Sequence, residues 1–235
     1  MSLIQSSATL AAEAPIIAAS FGSFGASLAD GSEYTGSFGD GVDLEAFHWN
    51  KIQIIMSGPT RPNLLAFETI PSIIECRAIC RALGDHNDLP PAWISFQCSK
   101  PGIVADGSSL AKNVECIINS NLPRENRVMA VGVNCVDPHI VLDCLRIIRK
   151  ASRRGVLLIA YPNSGDKWDA SNRRWIDRSG LSPGEFAELA VSWFKAGCTI
   201  IGGCCRVGPN YIAELKRRLA AEVAFRRISS YNADS

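Results

Sequence analysis

Apolar residues fall into two alternating patterns along the chain. The first is a short, nearly continuous run rich in valine, isoleucine and phenylalanine. It occurs at "PIIAAS" (15–20), "NLLAFET" (63–69), "AWISFQC" (92–98), "VMAVGVNC" (128–135), "GVLLIAYP" (155–162) and "CTIIGG" (198–203). None of these runs alternates strictly between apolar and polar residues, so each reads as a strand buried on both faces. The second pattern spaces its apolar positions for a helix. In "SPGEFAELAVSWFKAG", Ser182 is placed to cap, Pro183 to fill the first helical position and Glu185 to complete a capping box. Phe186, Ala190, Trp193 and Phe194 then form a stripe, and Gly197 ends it. "PSIIECRAICRALG" repeats the box with Ser72 and Glu75, and "PNYIAELKRRLAAEV" puts Ile212, Leu215, Leu219 and Val223 on one face. Repeated β-α alternation predicts a parallel sheet covered by helices, which either a doubly wound sheet or a barrel satisfies.

The strand ends favour the barrel. Polar or reactive residues close nearly every predicted strand: Ser20, Glu68, Gln97, Asn134 with Cys135, Asn163 with Ser164, and Cys204 with Cys205. A barrel mouth collects side chains from all around the sheet, whereas an open sheet concentrates them at one switch point. No GxGxxG follows a strand and no GxxxxGK[ST] occurs, so nucleotide-cofactor fingerprints are absent.

Composition narrows the function. The chain has 235 residues, 47% hydrophobic and 20% charged, which suits one large domain. A net charge of +1, with arginine pairs scattered rather than blocked, argues against a nucleic-acid partner. No apolar run approaches the roughly 18 residues of a membrane helix, and "MSLIQSSATLAAEAP" lacks the basic region of a signal peptide. The expectation is a cytoplasmic protein without a membrane partner. Nine cysteines, an odd number, do not suggest a disulfide framework in such a chain. Most read as core filling, Cys76 and Cys80 included, although their spacing of four on a helix lets them share a face.

Cys135, Cys204 and Cys205 stand apart. Neighbours in an extended strand point to opposite faces, so Cys204 and Cys205 address one ion only if the chain turns there. Gly202 and Gly203 permit that turn. Three thiolates at one end of a barrel make a zinc site with one open position; the alternative is three buried structural cysteines.

"GGCCR" after an isoleucine-rich strand, "GVNC", "FETIPS", "FGASLADGSEYTG" and "YPNSGDKWD" together resemble the homocysteine S-methyltransferases, from about residue 14 to about residue 219. "ADGSEYTG" and "YPNSG" point to the branch that uses S-methylmethionine or S-adenosylmethionine as methyl donor. The resemblance implies a (β/α)8 TIM barrel and a reaction that forms methionine from homocysteine. It makes Cys135, Cys204 and Cys205 the zinc ligands and Glu68 the carboxylate that holds the homocysteine amino group. Asn134, Asn163 and Ser164 become substrate-binding candidates at the mouth. The family's opening strand, with its Asp-Gly-Gly or Asp-Gly-Ala motif, and a second βα unit have no counterpart among the six predicted strands. The implied barrel is therefore incomplete, with residues 1–235 one methyltransferase domain and 220–235 its tail. A catalytically inactive shortened form, acting through thiol or zinc binding, is the alternative reading.

The chemistry is coherent without the resemblance. A free thiol is mostly protonated at neutral pH, and coordination to zinc deprotonates it. A thiolate-rich zinc centre keeps a bound sulfur nucleophilic, which suits attack on the methyl carbon of a sulfonium. No general base is then required, so His48, His86 and His139 are assigned packing or surface roles. Asp30 and Glu33 lie on a loop and either meet the donor's cation or solvate that loop.

Overall fold

A computed structural model describes residues 15–39, 41–84, 86, 88–120, 128–169, 174–176 and 180–233. Strand β1 (Ala18–Gly22) is followed by the short helix α1 (Phe24–Leu28) and by α2 (Leu44–Met56). Strand β2 (Leu64–Ile70) leads to α3 (Ile73–Gly84). Strand β3 (Ala92–Phe96) leads to an antiparallel hairpin, β4 (Cys98–Lys100) with β5 (Ile103–Val104), and then to α4 (Leu110–Asn119). Strand β6 (Val128–Asn134) leads to α5 (Val141–Ala151). Strand β7 (Leu157–Tyr161) leads to a second hairpin, β8 (Lys167–Asp169) with β9 (Arg174–Ile176), and to α6 (Pro183–Lys195). Strand β10 (Cys198–Ile201) and helix α7 (Pro209–Ala233) follow.

The main sheet has the order β1-β2-β3-β6-β7-β10, and every pairing in it is parallel. Spatial order equals chain order, so each crossover steps the same way and no switch point arises. A doubly wound sheet would reverse direction once. Crossovers of one hand all lay their helices on one face. Accordingly α2 packs on α3, α3 on α4, α4 on α5, α5 on α6 and α6 on α7. Between sheet and helices lies the core, where Phe67, Ile79, Leu83, Val114, Leu145, Ile148, Phe186 and Trp193 are fully buried.

The sheet curls. Tyr161 at the end of β7 places its hydroxyl 3.0 Å from Glu68 Oε2 on β2, although β3 and β6 lie between them. Three strand spacings in a flat sheet would hold those backbones about 14 Å apart. This supports the barrel-like reading of the strand ends, with six strands in an α/β fold. Among the described residues β1 and β10 each pair on one side only. No described helix is long and apolar enough to cross a membrane.

Several local expectations shift. The first strand starts later than "PIIAAS" suggests, because Ile16 and Ile17 are exposed before it. The capping box of α6 forms in full: Ser182 Oγ accepts from Glu185 N, and Glu185 accepts from Ser182 N at 2.8 Å. At α3 only half of it forms. Ser72 Oγ accepts from Glu75 N at 3.2 Å, but the Glu75 carboxylate turns inward. There its Oε1 meets His48 Nε2 at 2.8 Å and accepts from Phe24 N at 2.6 Å. This buried contact ties α2 and the start of α1 to α3. On α7, Leu215 is buried but Ile212 is exposed, and Tyr211 takes the inward place with its hydroxyl donating to Leu181 O at 2.6 Å. The two hairpins were not foreseen; each has strands of three residues or fewer, too short for a periodicity to register.

Replacing Glu75 by alanine removes the partner of the buried His48 ring and of the part-buried Phe24 N–H, and each buried group left unsatisfied costs about 1–3 kcal/mol. The variant should lose about 3 kcal/mol in urea denaturation. Arg61→Ala, which removes only a solvent-exposed 3.3 Å pair with Asp88, should change stability by less than about 1 kcal/mol. Equal losses in the two variants would contradict this role for the α2–α3 contact.

Candidate metal centre

Cys135 directly follows β6, and its backbone is left-handed, with φ of 53°. Its N–H donates to Tyr161 O at 3.3 Å, so the turn is stitched to the end of β7. The chain after β10 is held to the same segment. Gly202 N donates to Ala160 O at 2.9 Å, Cys204 N to Pro162 O at 2.8 Å, and Ser164 N to Cys205 O at 3.1 Å. A tight turn then closes with Val207 N on Cys204 O at 3.1 Å and Arg206 at φ of 61°. Only glycine fits at 203, since a Cβ there would stand 2.0 Å from Val207 Cγ1.

This turn lets Cys204 and Cys205 address the same point. Cys135 Sγ lies 3.7 Å from Cys205 Sγ, which is 3.9 Å from Cys204 Sγ, and all three sulfurs lie within 4.8 Å of one another. Sulfurs bound tetrahedrally at about 2.3 Å from one ion stand about 3.8 Å apart. The trio therefore fits a single thiophilic cation with little movement. Without one, three negative charges cannot share the space. Hydrogen bonds from Cys135 and Cys204 hold the Cys205 thiol well below the usual range, while contacts with Cys204 and Cys205, together with burial, push Cys135 up. The Tyr34 hydroxyl is 3.5 Å from Cys135 Sγ.

Beside the sulfurs is a polar network. Glu68 accepts from Tyr161 Oη at 3.0 Å and from Ser20 Oγ. Tyr161 Oη also accepts from Trp93 Nε1 at 3.0 Å and lies 2.6 Å from Ser95 Oγ. Burial first, and then the Glu68 charge, push the Tyr161 hydroxyl upward, so it stays a neutral donor. Asn134 is almost wholly buried. Its Oδ1 accepts from Thr69 N at 2.7 Å and Ser95 Oγ at 2.8 Å, and its Nδ2 donates to Thr69 Oγ1 at 2.8 Å. Thr69 has φ of 59°, and the β2–β3 register slips between Phe67 and Ile70. Asn134 thus holds an irregularity that re-aims β2 next to Glu68.

The "YPNSG" residues mostly brace this end of the sheet. Asn163 Oδ1 accepts from Gly165 N at 2.9 Å, and fully buried Ser164 donates to Asp166 Oδ2 at 2.6 Å. Asp166 in turn accepts from Gly180 N at 3.0 Å and Arg206 Nε at 2.9 Å. Asp30 closes its own loop by accepting from Ser32 N at 2.9 Å. One buried oxygen of Glu33 has no hydrogen-bond partner among the described residues. The histidines lie elsewhere: His48 pairs with Glu75, His86 stacks on Trp49 at 3.7 Å, and His139 sits in a short turn capped by Asp137. Sequence reasoning passed over Tyr34, Trp93, Ser95 and Tyr161 as individual contributors. Tyr34 and Tyr161 stand within quoted motifs and carried a signal, whereas Trp93 and Ser95 are ordinary residues of a strand.

A sequence profile described as homocysteine S-methyltransferase matches residues 1–219. Homocysteine S-methyltransferase 2 of Zea mays is 39% identical over 208 residues, covering 87% of this chain and 58% of that protein. Homocysteine S-methyltransferase 2 of Arabidopsis thaliana is 38% identical over 208 residues, covering 87% and 60%. The crystal structure of the homocysteine methyltransferase MmuM from Escherichia coli, metallated form, aligns with a TM-score of 0.69 at 30% identity, covering 86% of this chain and 61% of that one. The chain spans about three fifths of the length of these relatives.

One equivalent of cadmium, a thiophilic probe, should protect Cys135, Cys204 and Cys205 together from alkylation, as read by mass mapping. Gly203→Ala keeps all three thiols but forces the turn open, so protection should be lost. Protection that survives this substitution would show that the turn does not set the site.

Proposed function

The chain belongs to the homocysteine S-methyltransferase family, and on that premise we propose that it transfers a methyl group from a sulfonium donor to the thiol of L-homocysteine, giving methionine, at a zinc ion held by Cys135, Cys204 and Cys205. The donor is S-methylmethionine or S-adenosylmethionine. In this reading the curled sheet is six strands of a (β/α)8 barrel within one domain. The observation that carries it is the triangle of sulfurs at the strand ends, with the 3.7 Å and 3.9 Å edges that one tetrahedral ion requires.

When bound, zinc supplies a thiolate-rich centre at which an acceptor thiol loses its proton and stays nucleophilic. The chain's own residues do the rest. Glu68 takes the ammonium of homocysteine, and neutral Tyr161 keeps that carboxylate aimed into the mouth without adding charge. Asn134 positions Glu68 through Thr69, and Asn163 and Ser164 brace the loop that carries Cys204 and Cys205. The unpartnered oxygen of Glu33 is an acceptor for the donor's ammonium. As the acceptor S–CH3 bond forms, the donor S–CH3 bond breaks and its electron pair stays on the donor sulfur, which becomes a neutral thioether. Positive charge disappears in that step, so a mouth with little water favours it. None of the three histidines is needed, in keeping with their places away from the sulfurs.

The test is methionine formation by the purified, zinc-loaded chain from homocysteine with each donor in turn. Glu68→Gln should raise the KM for homocysteine about 10- to 100-fold, the scale of a lost charge-assisted hydrogen bond, with a smaller change in kcat. Chelation should abolish turnover and added zinc should restore it. No methionine with either donor, or full turnover in Cys205→Ala, would overturn the proposal.

A further inference from the structure

A second group of thiols lies away from the mouth. Cys76 and Cys80, one turn apart on α3, face Cys116 on α4, close enough for each thiol to influence the ionisation of the others. Cys76 is in the first turn of α3, Cys80 is midway along it and Cys116 lies late in α4, so the group sits in the helix layer and not on the loops that carry Cys135, Cys204 and Cys205. Cys76 and Cys80 are buried, whereas Cys116 is half-exposed. It opens onto a groove of about 750 Å³ lined by Arg77, Cys80, Lys112, Glu115, Cys116 and Ser120 among others. That volume is in the range of small-molecule sites.

The groove has a charge preference. Arg81 at its edge is engaged by Glu45 at 2.6 Å, which leaves two cations, Arg77 and Lys112, against one carboxylate, Glu115, along the lining. The thiol groups of Cys76 and Cys80, and then the Arg77 guanidinium, hold Cys116 well below the ordinary thiol range. A partly exposed thiolate beside a cation is the reactive form of cysteine.

We propose that Cys116 is a site of S-thiolation by a small disulfide whose two halves carry carboxylates, with Arg77 and Lys112 holding those carboxylates in the groove between α3 and α4. The Cys116 sulfur attacks one sulfur of the disulfide, and a new S–S bond forms as the old one breaks. The electron pair leaves on the departing half as a thiolate, which takes a proton from water. The incoming disulfide is the only oxidant required. This chemistry is independent of methyl transfer.

The experiment treats the full chain with oxidised glutathione, neutral bis(2-hydroxyethyl) disulfide or cationic cystamine, and follows each cysteine by peptide mass mapping. At Cys116 the rate should fall in the order anionic, neutral, cationic, and the differences should shrink at high salt. Lys112→Gln should slow only the anionic probe, roughly fivefold, the scale of one exposed ion pair. Arg77→Gln should slow all three probes, because it also destabilises the thiolate. A flat or reversed order at Cys116, or a Cys116 that stays unmodified while other half-exposed thiols react, would overturn the proposal. Both outcomes are read in the wild-type chain and do not depend on how any variant folds.

Discussion

The contact between Tyr161 and Glu68, made over two intervening strands, is possible only because the sheet is curled. Strands added one after another in the same direction, with every helix on one face, give the sheet two unlike sides. One is packed against helices and the other is concave. The concave side gathers side chains from the ends of β2, β3, β6 and β7. No flat sheet brings a carboxylate from β2, an indole and a hydroxyl from β3 and a phenol from β7 into one hydrogen-bonded network.

Gathering strand ends is not enough, because regular strands would send successive side chains to opposite faces. The chain breaks regularity where chemistry is needed. Thr69, Cys135 and Arg206, none of them glycine, all have left-handed backbones, and each lies within two residues of Glu68 or of a cysteine of the trio. Such backbones cost on the order of 1–3 kcal/mol each and persist where surroundings over-determine them. Here the surroundings are visible. Asn134 grips Thr69 from two sides, Tyr161 O accepts from Cys135 N, and Asp166 holds Arg206. The "YPNSG" segment supplies Tyr161 O, holds Asp166 through Ser164 and bonds the backbone of Cys204 and Cys205, so it acts as a splint joining β7 to the loop after β10.

The architecture was legible in the sequence to the extent that it depends on periodicity. Unbroken apolar runs placed all six main strands within a few residues, and the capping box of "SPGEFAELAV" marked the start of α6. The cysteine trio was legible because two glycines free the chain to turn just before adjacent thiols that a regular strand would send to opposite faces. What escaped depends on side chains meeting at long range. Glu75 satisfies the local pattern of a capping box, yet His48 and the N–H of Phe24 compete for its carboxylate and win through burial. Tyr211 displaces Ile212 from the core side of α7 because its hydroxyl finds the carbonyl of Leu181. Trp93 and Ser95 look like any strand residues until the curl brings Tyr161 to them.

The nine cysteines show how position, rather than residue type, decides chemistry. Cys98, Cys144 and Cys198 are fully or nearly buried; Cys198 spends its weak S–H on the carbonyl of Leu158, and it behaves as a small hydrophobe. Cys76, Cys80 and Cys116 occupy a seam between two helices, where one member reaches solvent beside Arg77. Cys135, Cys204 and Cys205 lie at the strand ends, where glycine-permitted turns converge three sulfurs on one point. Burial suppresses the thiolate of Cys198 in the first group, and in the second the Cys76 and Cys80 thiols, helped by the Arg77 guanidinium, favour a thiolate at Cys116. In the third, three sulfurs crowd together, and charge repulsion keeps all three from being thiolates at once unless a cation joins them. Position in the fold thus gives one residue type three different surroundings.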